Sequence, residues 1–237
     1  MGGSLVAASA IVYTVQLLLF DRATDTFFYL MQDLAFLPVQ VLLVTLILNE
    51  LFKRRERAVL QRKMNMVIGA FFSEVGTGLL TALGGCNARA ADIKKILAVG
   101  ADWTDRDFQA AIDAVRSHEP GMDCRSGDLA ALKTFLTGKR GFLLGLLENP
   151  NLLEHETFTD LLWAVFHLTE ELGHRRDVAA LPETDYAHLS GDMKRAYLLL
   201  VSEWLAYTRH LKGDYPYIFS LLVRTSPFDE NASPEVL

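Results

Sequence analysis

Histidine and glutamate side chains recur between residues 154 and 174 at spacings that could hold a metal ion. Residues three or four apart share one face of a helix. Glu171 and His174 match the Glu-x-x-His pattern of dimetal helical bundles, in which carboxylates and histidines converge from several helices. The residues of this group are Glu154, His155, Glu156, His167, Glu170, Glu171 and His174.

A dimetal bundle needs a second Glu-x-x-His, and the chain offers only Asp185-Tyr-Ala-His188. We therefore interpret residues 154–174 as a glutamate-rich face in contact with solvent, and we expect no cofactor. The alternative is a single divalent cation. Its candidate ligands are His155, His167, Glu171 and His174.

A second group of polar residues lies in an apolar stretch, where its chemistry would be the passage of ions. Asp33 precedes the uncharged segment 34–48, and Gln40 follows Asp33 by seven residues, on the same helix face. Pro38 removes a backbone donor and should kink the helix. A carboxylate inside a membrane usually marks an ion path, a proton site or a paired partner.

Asp33 also has a purely structural interpretation. It could lie at the outer membrane interface, or form a hydrogen bond with Gln16 or Tyr13 of a preceding apolar helix. Both interpretations stay open at the level of sequence.

The apolar stretch has the length of a membrane helix, since about 20 apolar residues cross a bilayer. A basic cluster follows it, which predicts that this end faces the cytoplasm and attracts anionic lipid. The members of the basic cluster are Lys53, Arg54, Arg55, Arg57, Arg62 and Lys63.

The first residues predict another membrane helix. Residues 4–20 carry no charge, and no basic segment precedes them as it would in a secretory signal peptide. We predict a transmembrane hairpin in residues 1–50, with helices at about 4–20 and 27–50. Both termini would lie in the cytoplasm, and the protein would be a multi-pass component of the inner (plasma) membrane.

Residues 51–85 predict a long connecting helix. Polar and small side chains form one stripe along it, at every fourth position, and such a stripe lets another helix approach closely. We expect the stripe to pack against the domain that follows or against other copies, with a third membrane span over residues 64–83 as the alternative. The stripe consists of Asn65, Gly69, Ser73, Thr77 and Thr81.

Residues 86–228 predict a cytoplasmic bundle of about five helices, followed by a disordered tail at 229–237. Thr104 and Asp107 have the spacing of a capping box, and a long helix should run from Pro182 or Thr184 to about residue 212. Cys86 and Cys124 do not form a Cys-x-x-Cys pair and should be free thiols in the cytoplasm.

Composition and motifs exclude several classes of function. Residues 64–237 carry 24 acidic against 16 basic side chains, which argues against nucleic acid as a partner. The chain has no Walker loop, no GxSxG and no HExxH. We therefore predict no enzymatic activity.

Four blocks of the chain resemble a family of uncharacterised integral membrane proteins found in archaea and bacteria. The resemblance covers most of residues 27–228. It implies a membrane protein with a helical cytoplasmic domain, and it implies no activity. The blocks are LPVQVLLVTLILNEL, KMNMVIGAFFSEVGTGLL, NPNLLEHETFTDLLWAVFHLTEEL and WLAYTRHLKGDYPYIFSLLVRTSPF.

The predicted fold class is thus all-α: a two-helix transmembrane hairpin, a long helix and a cytoplasmic helical bundle. We predict a homo-oligomeric ion or small-solute conduit, lined by Asp33, Pro38 and Gln40, whose bundle regulates it. The alternative is a membrane-anchored interaction or sensory module whose bundle binds a cytoplasmic protein partner, and a third hypothesis is a metal-binding helical protein. The predicted partners are membrane lipids and further copies of the chain.

Overall fold

The computed structural model describes residues 2–20, 23–229 and 231–235, and no β-strand occurs among them. The all-helical fold class is therefore confirmed. The helices are α1 (Gly2–Phe20), α2 (Ala23–Phe71), α3 (Thr77–Gly85), α4 (Ala90–Ile96), α5 (Asp105–Ser117), α6 (Leu129–Leu147), α7 (Glu156–His174), α8 (Glu183–Asp214) and α9 (Pro216–Arg224). A π-helical turn, Phe72–Gly76, joins α2 to α3, and a 3-10 turn, Pro150–Glu154, precedes α7.

The chain forms two compact units, Met1–Val59 and Leu60–Leu237. In the first unit, every side chain from residue 27 to residue 57 is exposed. Within the described residues, one helical stretch, Thr24–Gly85, is long and apolar enough to cross a membrane, whereas the apolar helix Val6–Gln16 is shorter. The structure thus supports one helix of spanning length, and the two-helix hairpin stays a prediction.

The second unit is built around α8. Helices α3, α5, α7 and α9 pack against α8, and α6 packs against α7. The apolar positions that predict the buried face of α8 recur at intervals of three, four or seven residues, and all of them are buried. They are Leu189, Met193, Tyr197, Leu200, Trp204 and Leu211.

Residues 64–85 belong to this second unit and not to a separate connecting segment. Phe71 is fully buried, and its ring lies edge-to-face against Phe158 at 5.4 Å. A Cβ atom at Gly69 would lie 2.8 Å from the Tyr207 hydroxyl, so glycine permits the close approach of α8 there. Of the small-residue stripe, Gly69 contacts the bundle as expected, whereas Ser73, Thr77 and Thr81 are exposed, and apolar side chains such as Met64 and Ile68 form the packed face instead. The bundle begins near residue 60 and not at residue 86, because burial of these side chains stabilises α2 and α3 against it.

Several local signals are confirmed. The Thr104 N–H donates to the Asp107 carboxylate at 2.7 Å, within a capping box that begins α5. The start of α6 was not predicted: the helix begins after Asp128, whose carboxylate accepts from the Ala131 N–H. Helix α4 was not predicted, because a seven-residue helix is too short to establish a periodic pattern.

The C-terminal segment differs from the predicted disordered tail in its described part. The Ser233 N–H donates to the Arg224 carbonyl at 2.9 Å, and the Phe228 ring lies edge-to-face against Trp204 at 5.0 Å. These contacts hold the segment against α8 and α9. Residues 230, 236 and 237 of the predicted tail lie outside the described residues.

Both cysteines are free thiols and are buried, as the sequence predicts. Burial raises the pKa of the Cys86 thiol to about 11. Because the thiolate is the reactive form of cysteine, Cys86 has a structural role in the core.

Candidate metal centre

Helices α7 and α8 each place one histidine and one carboxylate, four residues apart, at the contact between them. His167 and Glu171 come from α7, and His188 and Asp192 come from α8. A four-residue spacing puts both side chains of each pair on one face of its helix. Packing of α7 against α8 brings the two pairs together.

Three of the four side chains form one close group, and the fourth, Asp192, lies beside both histidines. The donor atoms of His167, Glu171 and His188 all lie within 4.8 Å of one another. The Asp192 Oδ2 lies 3.3 Å from the Nε2 of His167 and 3.3 Å from the Nε2 of His188. Glu171 lies 3.6 Å from the Nε2 of His188 and 4.0 Å from the Nε2 of His167.

These separations suit a metal ion. Donors that lie about 2.1 Å from a tetrahedral ion are about 3.4 Å apart. The distances that link Asp192 to both imidazoles, and Glu171 to His188, are close to that value, and the distance between His167 and Glu171 is somewhat longer. Two imidazoles and two carboxylates suit Zn²⁺ or Fe²⁺, whereas Mg²⁺ and Ca²⁺ prefer oxygen ligands alone.

The environment of Asp192 favours a metal site over a set of ion pairs. Its side chain is only 5% exposed. Its Oδ2 makes no hydrogen bond within the described residues, although both imidazoles lie near it. An unsatisfied buried carboxylate oxygen is costly. A cation bound between Asp192 and the two imidazoles would remove that cost.

Two arginines outside the cluster contact the carboxylates of Glu171 and Asp192. Arg175 Nη1 donates to Glu171 Oε2 at 2.7 Å, and this hydrogen bond holds the pKa of the Glu171 carboxyl below its usual range. Arg175 also donates two hydrogen bonds to Asp185, in the first turn of α8. Arg195 lies 3.4 Å from Asp192 Oδ1, which leaves Oδ2 directed at the histidines. Outer hydrogen bonds of this kind orient metal ligands.

The structure brings together two of the four metal ligands suggested by the sequence. His167 and Glu171 meet at the cluster, whereas His155 and His174 lie at opposite ends of α7, about 28 Å apart at 1.5 Å per residue. His174 Nδ1 contacts the Glu170 carbonyl at 2.7 Å, and His155 caps the start of α7. The Glu-x-x-His pattern of Glu171 and His174 therefore does not form one site.

His188 and Asp192 were missed as candidate ligands. The sequence does contain a signal for these two ligands. A histidine followed four residues later by a carboxylate occurs on two helices, as His167-x-x-x-Glu171 and His188-x-x-x-Asp192. The three-residue interval of the Glu-x-x-His pattern relates His188 to Asp185 and not to Asp192. The spacing alone would not have shown that the two pairs face each other.

The candidate conduit residues and the basic cluster lie elsewhere. Asp33, Pro38 and Gln40 are exposed within α2, which continues through Pro38. All six side chains of the basic cluster are exposed as well. Within the cluster, Arg54 Nε donates to Glu50 at 2.8 Å.

The fold defines a class of two-part helical proteins, with an apolar N-terminal unit and a C-terminal helical bundle. Residues 60–224 match the family described as "Uncharacterized protein MJ1433, C-terminal helical domain", and residues 1–52 match "MJ1433, N-terminal helical domain". The border between the two structural units, at residue 59, falls between these matches.

The chain belongs to the MJ1433 family. It is 40% identical, over 228 residues, to the uncharacterized protein MJ1433 of Methanocaldococcus jannaschii, across 96% of this chain and 92% of that protein. No solved structure matches the chain. The expected resemblance to an uncharacterised family is confirmed. Its membrane character and its range across archaea and bacteria stay predictions.

Proposed function

We propose that this protein is a membrane-anchored sensory module whose helical bundle binds one divalent transition-metal ion. The ion would bind between α7 and α8, at His167, Glu171, His188 and Asp192. The observation that carries this proposal is the buried Asp192 Oδ2, which lacks a hydrogen bond and lies 3.3 Å from two imidazoles.

The partial exposure of the proposed metal centre, and its position between two helices, suit a sensor. The side chains of His167 and His188 are 45% and 51% exposed, so an ion could exchange with solvent. Each helix supplies two ligands, so a bound ion would tie α7 to α8 and alter the energy of their contact. Metal binding would stabilise the folded state because the four ligands come together only when the chain is folded.

The exposed apolar part of α2 supports a membrane anchor. Residues 34–48 carry no charge, and all of their side chains are exposed. A core helix of a soluble protein would bury such residues, whereas the most apolar window of this helix is 0% buried. An exposed apolar surface of this length is unfavourable in water and favourable in a bilayer.

Cobalt titration tests the metal centre. The purified, chelator-treated protein in detergent should bind one equivalent of Co²⁺ and develop visible absorption bands. Zn²⁺ should then displace the Co²⁺ and abolish those bands. Weak binding of several equivalents without a defined spectrum would contradict the proposal, because scattered surface carboxylates bind in that way.

A second candidate function is the homo-oligomeric conduit for ions or small solutes. The observation in its favour is the position of Asp33, Pro38 and Gln40 within the exposed apolar part of α2. One or two helices cannot enclose a path, so several copies would have to surround a common axis. Light scattering on the detergent-solubilised protein should then give four or more copies, and a monomer or dimer would contradict this function.

Replacement of Asp33 tests the conduit directly. Asp33→Asn should reduce cation flux in reconstituted vesicles several-fold, because the only carboxylate within the apolar stretch would be lost. Glu56→Gln is the matched control, since Glu56 is exposed in the same helix beyond the apolar stretch. Unchanged flux in Asp33→Asn would leave Asp33 with a packing role.

A further inference from the structure

A cavity of about 470 Å³ lies between α5, the start of α7 and α8. This volume falls within the usual range for small-molecule sites. Glu203 lies eleven residues after Asp192 on α8, so the cavity is about 16 Å along that helix from the metal centre. The polar residues that line it include Gln109, Arg116, His155, Thr157, Glu203 and Arg209.

Glu203 is the buried acidic group of this cavity and is 4% exposed. Its Oε2 accepts a hydrogen bond from the Thr157 hydroxyl at 3.0 Å. Its Oε1 lies 3.9 Å from His155 Nε2, which is too far for a direct hydrogen bond. The two groups thus face each other across a gap that one polar atom can bridge, at about 2.8 Å from each.

The start of α7 determines which proton His155 presents to that gap. The Phe158 N–H donates to His155 Nδ1 at 3.3 Å, as the N-cap interaction of α7. Because Nδ1 is the acceptor, the neutral ring carries its proton on Nε2. A bridging group must therefore accept from His155 and donate to Glu203. A hydroxyl group does both.

Two arginines add positive charge to the same cavity. Arg116 on α5 and Arg209 on α8 both line it, and neither makes a hydrogen bond or an ion pair within the described residues. Burial raises the pKa of the Glu203 carboxyl, whereas the positive charge of Arg116 favours the ionised carboxylate. Guanidinium groups bind carboxylate and phosphate groups through paired hydrogen bonds.

We infer that this cavity binds a small organic anion that carries a hydroxyl group, either a hydroxy-carboxylate or a phosphorylated alcohol. Arg116 and Arg209 bind the anionic group, and the hydroxyl bridges His155 and Glu203. Apolar side chains, Ile112, Leu198 and Leu199, enclose the carbon skeleton. The inference does not depend on the metal centre, because the two sites share no residue.

Paired probes test the site on the full chain in detergent, by isothermal titration calorimetry. The first pair is L-malate and succinate, which differ by one hydroxyl, and the second is glycerol 3-phosphate and propyl phosphate. We expect at least one hydroxyl-bearing probe to bind, and its hydroxyl-free partner to bind about tenfold more weakly. The loss follows because Glu203 and His155 would then be left unpaired.

Variants on the arginines complete the test. Arg116→Ala and Arg209→Ala should each weaken binding about tenfold through loss of a charged hydrogen bond. Arg106→Ala, an exposed arginine of α5 outside the cavity, should leave binding unchanged. Absence of binding by both hydroxyl-bearing probes, equal binding within each pair, or binding insensitive to both arginine variants would overturn the inference.

Discussion

His188→Ala should lower the affinity for Zn²⁺ or Co²⁺ by about 100-fold or more. Even residues that only orient a metal ligand cost about 10- to 100-fold in affinity when they are replaced, and His188 would be a ligand itself. Its side chain is 51% exposed, so the substitution should leave the fold intact. Competition with a chromophoric chelator would measure the affinity.

His174→Ala is the matched control for this experiment. His174 lies at the end of the same bundle helix that supplies His167, and its ring contacts the Glu170 carbonyl at 2.7 Å. The variant should bind the metal as the unmodified chain does. An equal loss in both variants, or no loss in His188→Ala, would contradict the proposed centre.

Trp204→Ala should lower the free energy of unfolding of the bundle by about 3–5 kcal/mol, the usual cost of replacing a buried aromatic residue with alanine. Trp204 is 1% exposed and lies in the middle of α8, where Phe228 packs on it. The substitution should also release Phe228 from the core. Urea denaturation in detergent, followed by circular dichroism, would measure the change.

Trp163→Ala provides the comparison. Trp163 lies on α7 and is 57% exposed, so its replacement should change the unfolding free energy by less than about 1 kcal/mol. If both tryptophan variants were equally destabilised, α8 would not be the central helix of the core. If Trp204→Ala were neutral, the packing described for α8 would be incorrect.

Sequence patterns predicted the helices well because helix formation depends on neighbours along the chain. The apolar positions of α8, such as Leu189 and Trp204, repeat at intervals of three, four or seven residues, and those intervals mark a helix face. The capping box at Thr104 and Asp107 is likewise a local arrangement. The same patterns did not indicate α4, which is too short, and they set the start of the bundle about 25 residues too late.

The candidate metal centre shows why the remaining features could not be predicted. The interval from His167 to Glu171, and that from His188 to Asp192, can be counted along the chain. These intervals do not show that the two pairs face each other or that His174 lies away from them. They also do not show that the buried Asp192 Oδ2 lacks a hydrogen bond within the described residues. Those facts depend on the contact between α7 and α8.

The sequence by itself determined an all-helical protein, the limits of α8, the start of α5, two free cysteines and an apolar stretch followed by a basic cluster. Each of these follows from interactions between residues that are close along the chain, or from composition. Only the tertiary structure decided which histidines meet and which carboxylate is buried beside them. Packing of the core around α8 sets the rotation and the axial offset of α7, and a rotation by one residue, about 100°, would have directed His167 away from His188.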